Sequence, residues 1–445
     1  MAARRTKTPR ATAALGLTRR ALIGVALVAL LAIVGMWSEA EELAPLWQIP
    51  AILLALGLAI EGLLRRRPPV ALAIELPTYA HLGRATPLWW RFTSGRGPVT
   101  IEFAQCAPAG VDFAGDTEVV RIERGTEVRR PLEITPLVLG RHAWPPMAAR
   151  VRGLFGLAWW PRSFALDVEL NVVPDLLGRA GASPALAQQG ASARTVRGAG
   201  AEILELREYR PGDPMRSIDW KASARAQRLI ARDFTEDQHL EVMLAIDAGR
   251  SSALGAGRLD RLGNYVNFAC RFAEHVVSRD DQIGVIVFAD QLLATLPPGR
   301  GAPAVVRLRS ALRSLRPVPH EANPLLAAAR VRTLCRQRAL LILLTDLDDA
   351  GAASQLSRAV RLLTPKHVPV IASIANPELT ELERTPARRW LDPYLSLAAT
   401  EQLERIRSNA FLLRQRGAPV VIAPAQHLEA SVFALYTELK ARRKV

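Results

Sequence analysis

"EVMLAIDAGRSS", residues 241–252, runs through five consecutive apolar side chains, Val242 to Ile246, and turns polar at Asp247. So short and so apolar a run reads as a strand buried on both faces, as in a parallel sheet covered by helices. The pattern repeats towards the carboxyl terminus in "QIGVIVF" (282–288), "ALLILLTD" (339–346), "VPVIASI" (368–374) and "APVVIA" (418–423). Between these runs the spacing predicts helices over 259–278, 303–315, 324–337, 352–363, 399–416 and 427–442. Strands alternating with amphipathic helices predict an α/β domain with a doubly wound, mostly parallel sheet, spanning 201–445. Ligands of such sheets sit beyond the carboxyl ends of the strands.

Two acids lie there. Asp247 ends one strand and Asp346 another. If the strands are neighbours, both carboxylates and the Ser251 hydroxyl converge on one rim. Hard oxygen ligands of that kind suit Mg²⁺. The set resembles the metal-ion-dependent adhesion site of von Willebrand factor A domains, with Asp247 as the first Asp, Ser251 as the second Ser and Asp346 as the last Asp. Two positions depart from it. Gly249 stands where the first Ser belongs, and "PHEANP" (319–324) offers Glu321 and Asn323 where Thr is expected. The alternative is a rim of loop-capping carboxylates.

Upstream lies "LREYRPGDPMRSIDWKASAR" (206–225), with eight charged side chains in twenty residues. Its "RPG" favours a tight turn with Pro211 second and Gly212 third. Asp213 before Pro214 reads as a cap and first residue of a helical turn. Trp220 is expected to be an apolar anchor. Arg207, Arg216 and Arg225 can fork onto Glu208, Asp213 and Asp219, with Tyr209 and Lys221 alongside. Two readings stay open: a closed network locking two domains together, or a partner-facing patch.

The amino-terminal end differs in kind. "ALIGVALVALLAIVGMW" (21–37) has no charge, and "LAPLWQIPAILLALGLAIEGLL" (43–64) has one, Glu61. Both approach the length that crosses a bilayer core. A basic head (1–20) and Arg65–Arg67 flank them, and "SEAEE" lies between them. The positive-inside rule predicts a two-pass hairpin over 21–64 with both ends cytoplasmic, and Glu61 reaching the headgroups. From 68 to 176 short alternating strands such as "VALAIEL" and "VTIEF" predict a small antiparallel β-sandwich. The Ala-, Gly- and Ser-rich stretch 177–200 reads as a linker.

The net charge of +16 resides largely in the end and flanking segments, and no aromatic-basic stripe accompanies it, so nucleic acid is not expected as a partner. Cys106, Cys270 and Cys335 lack paired spacing and read as free thiols. Only 5 of 58 basic residues are Lys, a bias that fits a bacterial source. No activated nucleophile, nucleotide loop or spaced acid–base pair is legible, so no enzyme is expected. The competing expectation is a Mg²⁺-dependent enzyme using Asp247 and Asp346.

The stretch "REYRPGDPMRSIDWKASAR" closely resembles the signature of the bacterial family called domain of unknown function 58. "ARVRGLFGLAWW" (149–160) and "NVVPDL" (171–176) resemble the sandwich of that family, with Gly153-Leu154 where Asp-Pro is usual. The resemblance implies a von Willebrand factor A-like protein of the bacterial inner membrane, its soluble domains cytoplasmic. It further implies a MoxR-type AAA+ ATPase as partner in protein assembly or maturation, and contacts with other membrane-anchored proteins of the same kind.

Overall fold

The computed structural model describes residues 16–37, 45, 47–64, 70–95, 97–175, 197–198, 202–211, 213–235, 239–348 and 350–442. The head up to residue 15, the acidic stretch 38–44, Arg65–Arg67, most of the 177–200 linker and Gly212 lie outside the described residues. The chain divides into two units, residues 1–175 with 313–316 and residues 176–312 with 317–445.

The first unit opens with strand β1 (Gly16–Leu17) and helices α1 (Arg19–Trp37) and α2 (Gln48–Leu64). By length and composition α1 is able to cross a membrane. At 17 residues α2 is shorter than the 22-residue run expected from sequence, and one candidate span remains among the described residues, not two. The helix starts late because a turn precedes it, closed by Gln48 N–H on the Pro45 carbonyl at 2.9 Å. Leu22, Ile23, Leu27, Leu30 and Ile33 of α1 are each more than half exposed, as are Ile52, Leu53, Leu56 and Leu63 of α2. Apolar faces as open as these require a lipid or protein environment.

Strands β2 (Val70–Glu75), β3 (Ala80–His81), β4 (Thr86–Ser94), β5 (Val99–Ala104), β6 (Val111–Phe113) and β7 (Thr117–Ile122) follow. They are joined by β8 (Glu127–Pro136), β9 (Gly140–Ala143), β10 (Met147–Arg152), β11 (Ala158–Phe164) and β12 (Glu169–Val173). The two larger sheets run β2-β4-β8-β6 and β1-β11-β10-β5-β7, and a small one runs β3-β12-β9. Period-two alternation buries Leu88, Trp90 and Phe92 of β4, and Ile101 and Phe103 of β5. The larger sheets meet where the Phe92 and Phe103 ring centroids approach to 4.7 Å.

Glu61 is held by the protein itself. It is 2% exposed, and its carboxylate accepts hydrogen bonds from the backbone N–H of Phe155 (2.7 Å), Leu157 (3.2 Å) and Ala158 (3.1 Å), and from Trp160 Nε1 (3.4 Å). A lone carboxylate in an apolar helix is costly unless several donors surround it, and the β10–β11 connection supplies them.

The second unit begins with a three-stranded antiparallel sheet of β13 (Arg197–Gly198), β14 (Glu202–Glu208) and β15 (Ile230–Thr235), in the order β13-β15-β14, with helix α3 (Trp220–Ala226) between β14 and β15. The main sheet starts with β16 (Glu241–Asp247). The small pair β17 (Gly255–Ala256) and β18 (Leu259–Asp260) leads into α4 (Arg261–Val277), then β19 (Gln282–Phe288), β20 (Leu292–Gly299) and α5 (Gly301–Leu312). Next come α6 (Pro324–Leu334), β21 (Ala339–Leu344), α7 (Ala350–Leu363), β22 (Val368–Ile374) and α8 (Pro377–Arg384). Helix α9 (Asp392–Gln415), β23 (Val420–Ala423) and α10 (Ala425–Ala441) close the chain.

The strand order is β20-β19-β16-β21-β22-β23, with every neighbouring pair parallel except β19–β20. This is the mixed α/β class that the apolar runs imply, with helices between successive parallel strands. Val242 to Ile246 and Ala339 to Leu344 are all 0–1% exposed, so each run is buried on both faces. Three features depart from expectation. The edge strand β20 and helix α8 were not foreseen, and α9 begins seven residues earlier than the expected 399, at Asp392.

Candidate functional site

Strands β16 and β21 are parallel neighbours in the register Ile246 to Leu344, so Asp247 and the Thr345-Asp346 pair leave the sheet side by side. Asp247, 3% exposed, accepts from Gly249 N–H at 2.8 Å and from the Thr345 hydroxyl at 2.6 Å. Burial raises its pKa, and those two hydrogen bonds oppose the rise. Asp346 accepts from the backbone N–H groups of Leu347 (2.7 Å) and Asp348 (3.2 Å).

The cation of this rim belongs to the chain itself. Arg261, the first residue of α4, is 4% exposed and forms an ion pair with Asp346. Its second terminal nitrogen donates to Asp348 at 2.9 Å, and Gln402 donates to the same Asp348 oxygen at 3.2 Å. A planar guanidinium forks onto two carboxylates in a way no point charge reproduces.

The expected Mg²⁺ ligands therefore do not fit as a set. Asp247 and Asp346 do come together, but a guanidinium already neutralises Asp346, and Mg²⁺ would have to displace it. Ser251 lies in the short 3₁₀ turn Arg250–Ala253 and takes part through its carbonyl, which accepts from Leu254 N–H at 3.2 Å. The neighbouring Ser252 is the buried hydroxyl, donating to the Gly249 carbonyl at 2.6 Å. Gly249 has a steric reason to lack the side chain. A Cβ there would lie 2.9 Å from Ala322 N and 3.0 Å from the His320 carbonyl oxygen. Glu321 faces Arg250 on the surface at 3.2 Å, and Asn323 caps α6 by accepting from Leu325 N–H at 3.2 Å. Among the described residues no group of three or more His, Cys, Asp and Glu side chains is placed to hold a metal ion.

The charged signature is the connection of the β14–β15 hairpin. Asp213 N–H donates to the Arg210 carbonyl at 3.0 Å, closing the turn that Pro211 and Gly212 were expected to make. Asp213 does not cap a helix. It accepts both Arg207 guanidinium nitrogens, at 2.7 and 2.9 Å, and Arg210 N–H at 2.9 Å. The Arg207 hydrogen bonds, reinforced by Arg210 N–H, hold its pKa down at about 2. Tyr209 donates its hydroxyl to the Asp213 carbonyl at 3.1 Å.

Asp219 is the N-cap of α3, accepting Ala222 N–H at 2.9 Å. Its ion-pair partner is Arg232 of β15, at 3.1 Å, which the motif-bound reading missed. Glu208 pairs loosely with Arg228 at 3.7 Å. Arg225 and Lys221 are exposed rather than closing a network. Arg216 lies in the 3₁₀ turn Met215–Ser217, and its side chain lies outside what is described. The expected anchor is reversed: Trp220 is 62% exposed and Met215 73%.

A second charged cluster escaped the sequence reading. Asp281, 1% exposed, accepts from Leu240 N–H at 3.0 Å, Lys440 Nζ at 2.6 Å and the Tyr436 hydroxyl. It ties α10 to the start of β19. Burial pushes the Cys270 and Cys335 thiols up to about 12, so neither is a nucleophile at neutral pH.

Residues 205–394 match the family described as "Protein of unknown function DUF58". Uncharacterized proteins of Mycobacterium tuberculosis (strain ATCC 25618 / H37Rv) and Mycobacterium bovis (strain ATCC BAA-935 / AF2122/97) are 22% identical over 189 residues, 42% of this chain. The match spans 59% of those relatives' length. Among solved structures, the conserved hypothetical protein BatB from Bacteroides thetaiotaomicron is 16% identical with a TM-score of 0.31, over 46% of this chain and 100% of that one. Proximal thread matrix protein 1 from the mussel byssus, with a zinc-occupied MIDAS motif, is 16% identical with a TM-score of 0.28, over 45% of this chain and 46% of that one. At these scores the likeness says nothing of what this chain binds. The region that carries the hairpin signature and the rim, residues 205–394, is the part of the chain that matches the DUF58 family.

Proposed function

We propose that the chain is a membrane-anchored, non-catalytic protein-interaction module whose second unit is von Willebrand factor A-like. Its partner is a cytoplasmic MoxR-type AAA+ ATPase, in protein assembly or maturation. The observation that carries this reading is the exposed Trp220, with Met215, Lys221 and Arg225 exposed on the same hairpin connection. The frame beneath is fixed by Arg207–Asp213 and by the Asp219 cap. Exposed Trp and Arg on a rigid frame are the usual anchors of a protein interface.

The anchor is α1 with α2 packed beside it. Thr18, just before α1, donates its hydroxyl to the Gly156 carbonyl at 2.5 Å, and Glu61, near the end of α2, binds residues 155–158. Both ends of the helix pair thus meet one sandwich loop, which supports a hairpin that enters and leaves on one face of the membrane.

Trp220→Ala combined with Lys221→Glu tests the docking surface. The double variant should unfold within about 0.5 kcal/mol of wild type, as surface changes do. It should also fail to retain the ATPase when purified from native membranes. Undiminished retention would sink the reading.

A further inference from the structure

The connection between β10 and β11, residues 153–157, is apolar at its tip: Leu154 is 75% exposed and Phe155 48%. It does not project into open space. A Cβ on Gly57 would lie 2.9 Å from a Leu157 methyl and 3.9 Å from the Phe155 ring, and one on Gly62 3.1 Å from Trp160. The connection therefore lies against α2 at Gly57, and the start of β11 lies against it at Gly62. Gly57 precedes the last residue of α2, Leu64, by seven positions. At 1.5 Å per residue that is roughly 10 Å of helix. The exposed apolar side chains of α2, Leu53 and Leu56 among them, continue the same surface.

Irregular backbone is tolerated beside lipid only when its polar groups are satisfied internally. Here the N–H groups of Gly153, Phe155, Gly156 and Leu157 and the carbonyls of Gly153, Gly156 and Leu157 are satisfied within the protein. Glu61 takes the N–H groups of Phe155, Leu157 and Ala158. Gly156 N–H donates to the Gly153 carbonyl and Gly153 N–H to the Ala158 carbonyl, each at 2.9 Å. Thr18 takes the Gly156 and Leu157 carbonyls through its hydroxyl (2.5 Å) and its N–H (2.9 Å). Gly153 is required because a Cβ there would collide with the Glu61 carboxylate. Trp159 and Trp160 follow at the start of β11, and indole rings are the side chains enriched at membrane interfaces.

We infer that the β10–β11 tip is itself a bilayer contact, dipping into the acyl–headgroup boundary beside α2, with Leu154 and Phe155 against lipid and Glu61 as the positioning residue. This rests on the membrane anchoring proposed above. Full-length protein in phosphatidylcholine vesicles, carrying Cys106→Ser, can be spin-labelled at Leu154→Cys, at Leu27→Cys in α1, or at Thr117→Cys at the far end of the sandwich sheet. Labels at 154 and 27 should be relaxed by oxygen and shielded from a water-soluble nickel complex, while the label at 117 should show the reverse. Glu61→Ala should move the label at 154 to the aqueous behaviour of 117 and leave 27 unchanged. Lipid behaviour at 27 with aqueous behaviour at 154 overturns this inference alone. Aqueous behaviour at both overturns the anchoring as well. Protection of 154 from both reagents would mean that a second copy covers the tip, and would also overturn the inference.

Discussion

Arg261 decides what the rim can hold. Replacing it with Ala leaves the buried Asp346 and the half-buried Asp348 without their cation, and breaking a buried pair in this way costs about 3–5 kcal/mol. Arg261→Lys keeps the charge but not the fork onto two carboxylates, so it should fall between Ala and wild type in chemical denaturation. Wild-type protein should show no rise in melting temperature with millimolar Mg²⁺, since the ion competes with a fixed guanidinium. A Mg²⁺-dependent rise that Asp247→Ala abolishes would restore the metal site. Asp213 offers a second test at this scale. Its folded pKa of about 2 lies below the ordinary carboxylate value, so its stabilising pairing is complete above that ordinary value and is lost as pH falls towards 2. Arg207→Ala should raise the Asp213 midpoint in a carboxyl-carbon NMR titration. An unmoved midpoint would show that Arg207 is not its cause. Arg261 itself was illegible in the sequence, because its carboxylate partners lie 85 and 87 residues away and a lone Arg before a helix looks like surface charge.

At the scale of elements, what was legible follows from burial. β16, β19, β21 and β22 are buried on both faces, so their apolar runs stand out without any partner being known. The edge strand β20 contains Pro297 and Pro298, which argue against a strand in sequence and are tolerated only because one side of an edge is free. Helix α9 starts early because Asp392 accepts the N–H groups of Arg388 and Arg389, at 2.8 and 2.7 Å, closing the turn before it. In the signature the turn was legible from Pro-Gly chemistry, whereas the Asp219–Arg232 pair depends on β15 folding back. The cap and that pair separate experimentally. Asn caps a helix as well as Asp does but lacks the charge for Arg232, whose side chain is 38% exposed and can turn its charge to water, so the ion pair contributes little. Asp219→Asn should therefore melt close to wild type and Asp219→Ala clearly lower. Equal losses in both would make the ion pair, rather than the cap, what holds α3.

At the scale of the whole molecule the apolar runs were legible from composition, but the role of Glu61 was not, since its acceptor geometry needs a loop more than ninety residues away. That loop also constrains topology. Thr18 and Glu61 bind the same connection, so if α1 crosses the bilayer, α2 must bring the chain back to the starting side. At about 25 Å, a 17-residue helix spans somewhat less than a typical hydrocarbon core, a shortfall that local thinning accommodates. In intact cells carrying Cys106→Ser, a membrane-impermeant thiol reagent should label Glu41→Cys, between the helices, and miss Arg258→Cys, an exposed position in the second unit. Labelling of Arg258→Cys would mean a single crossing that puts the second unit outside, away from any cytoplasmic ATPase. Failure to label either position would mean that the helix pair does not cross at all, leaving its exposed apolar faces to a protein partner instead.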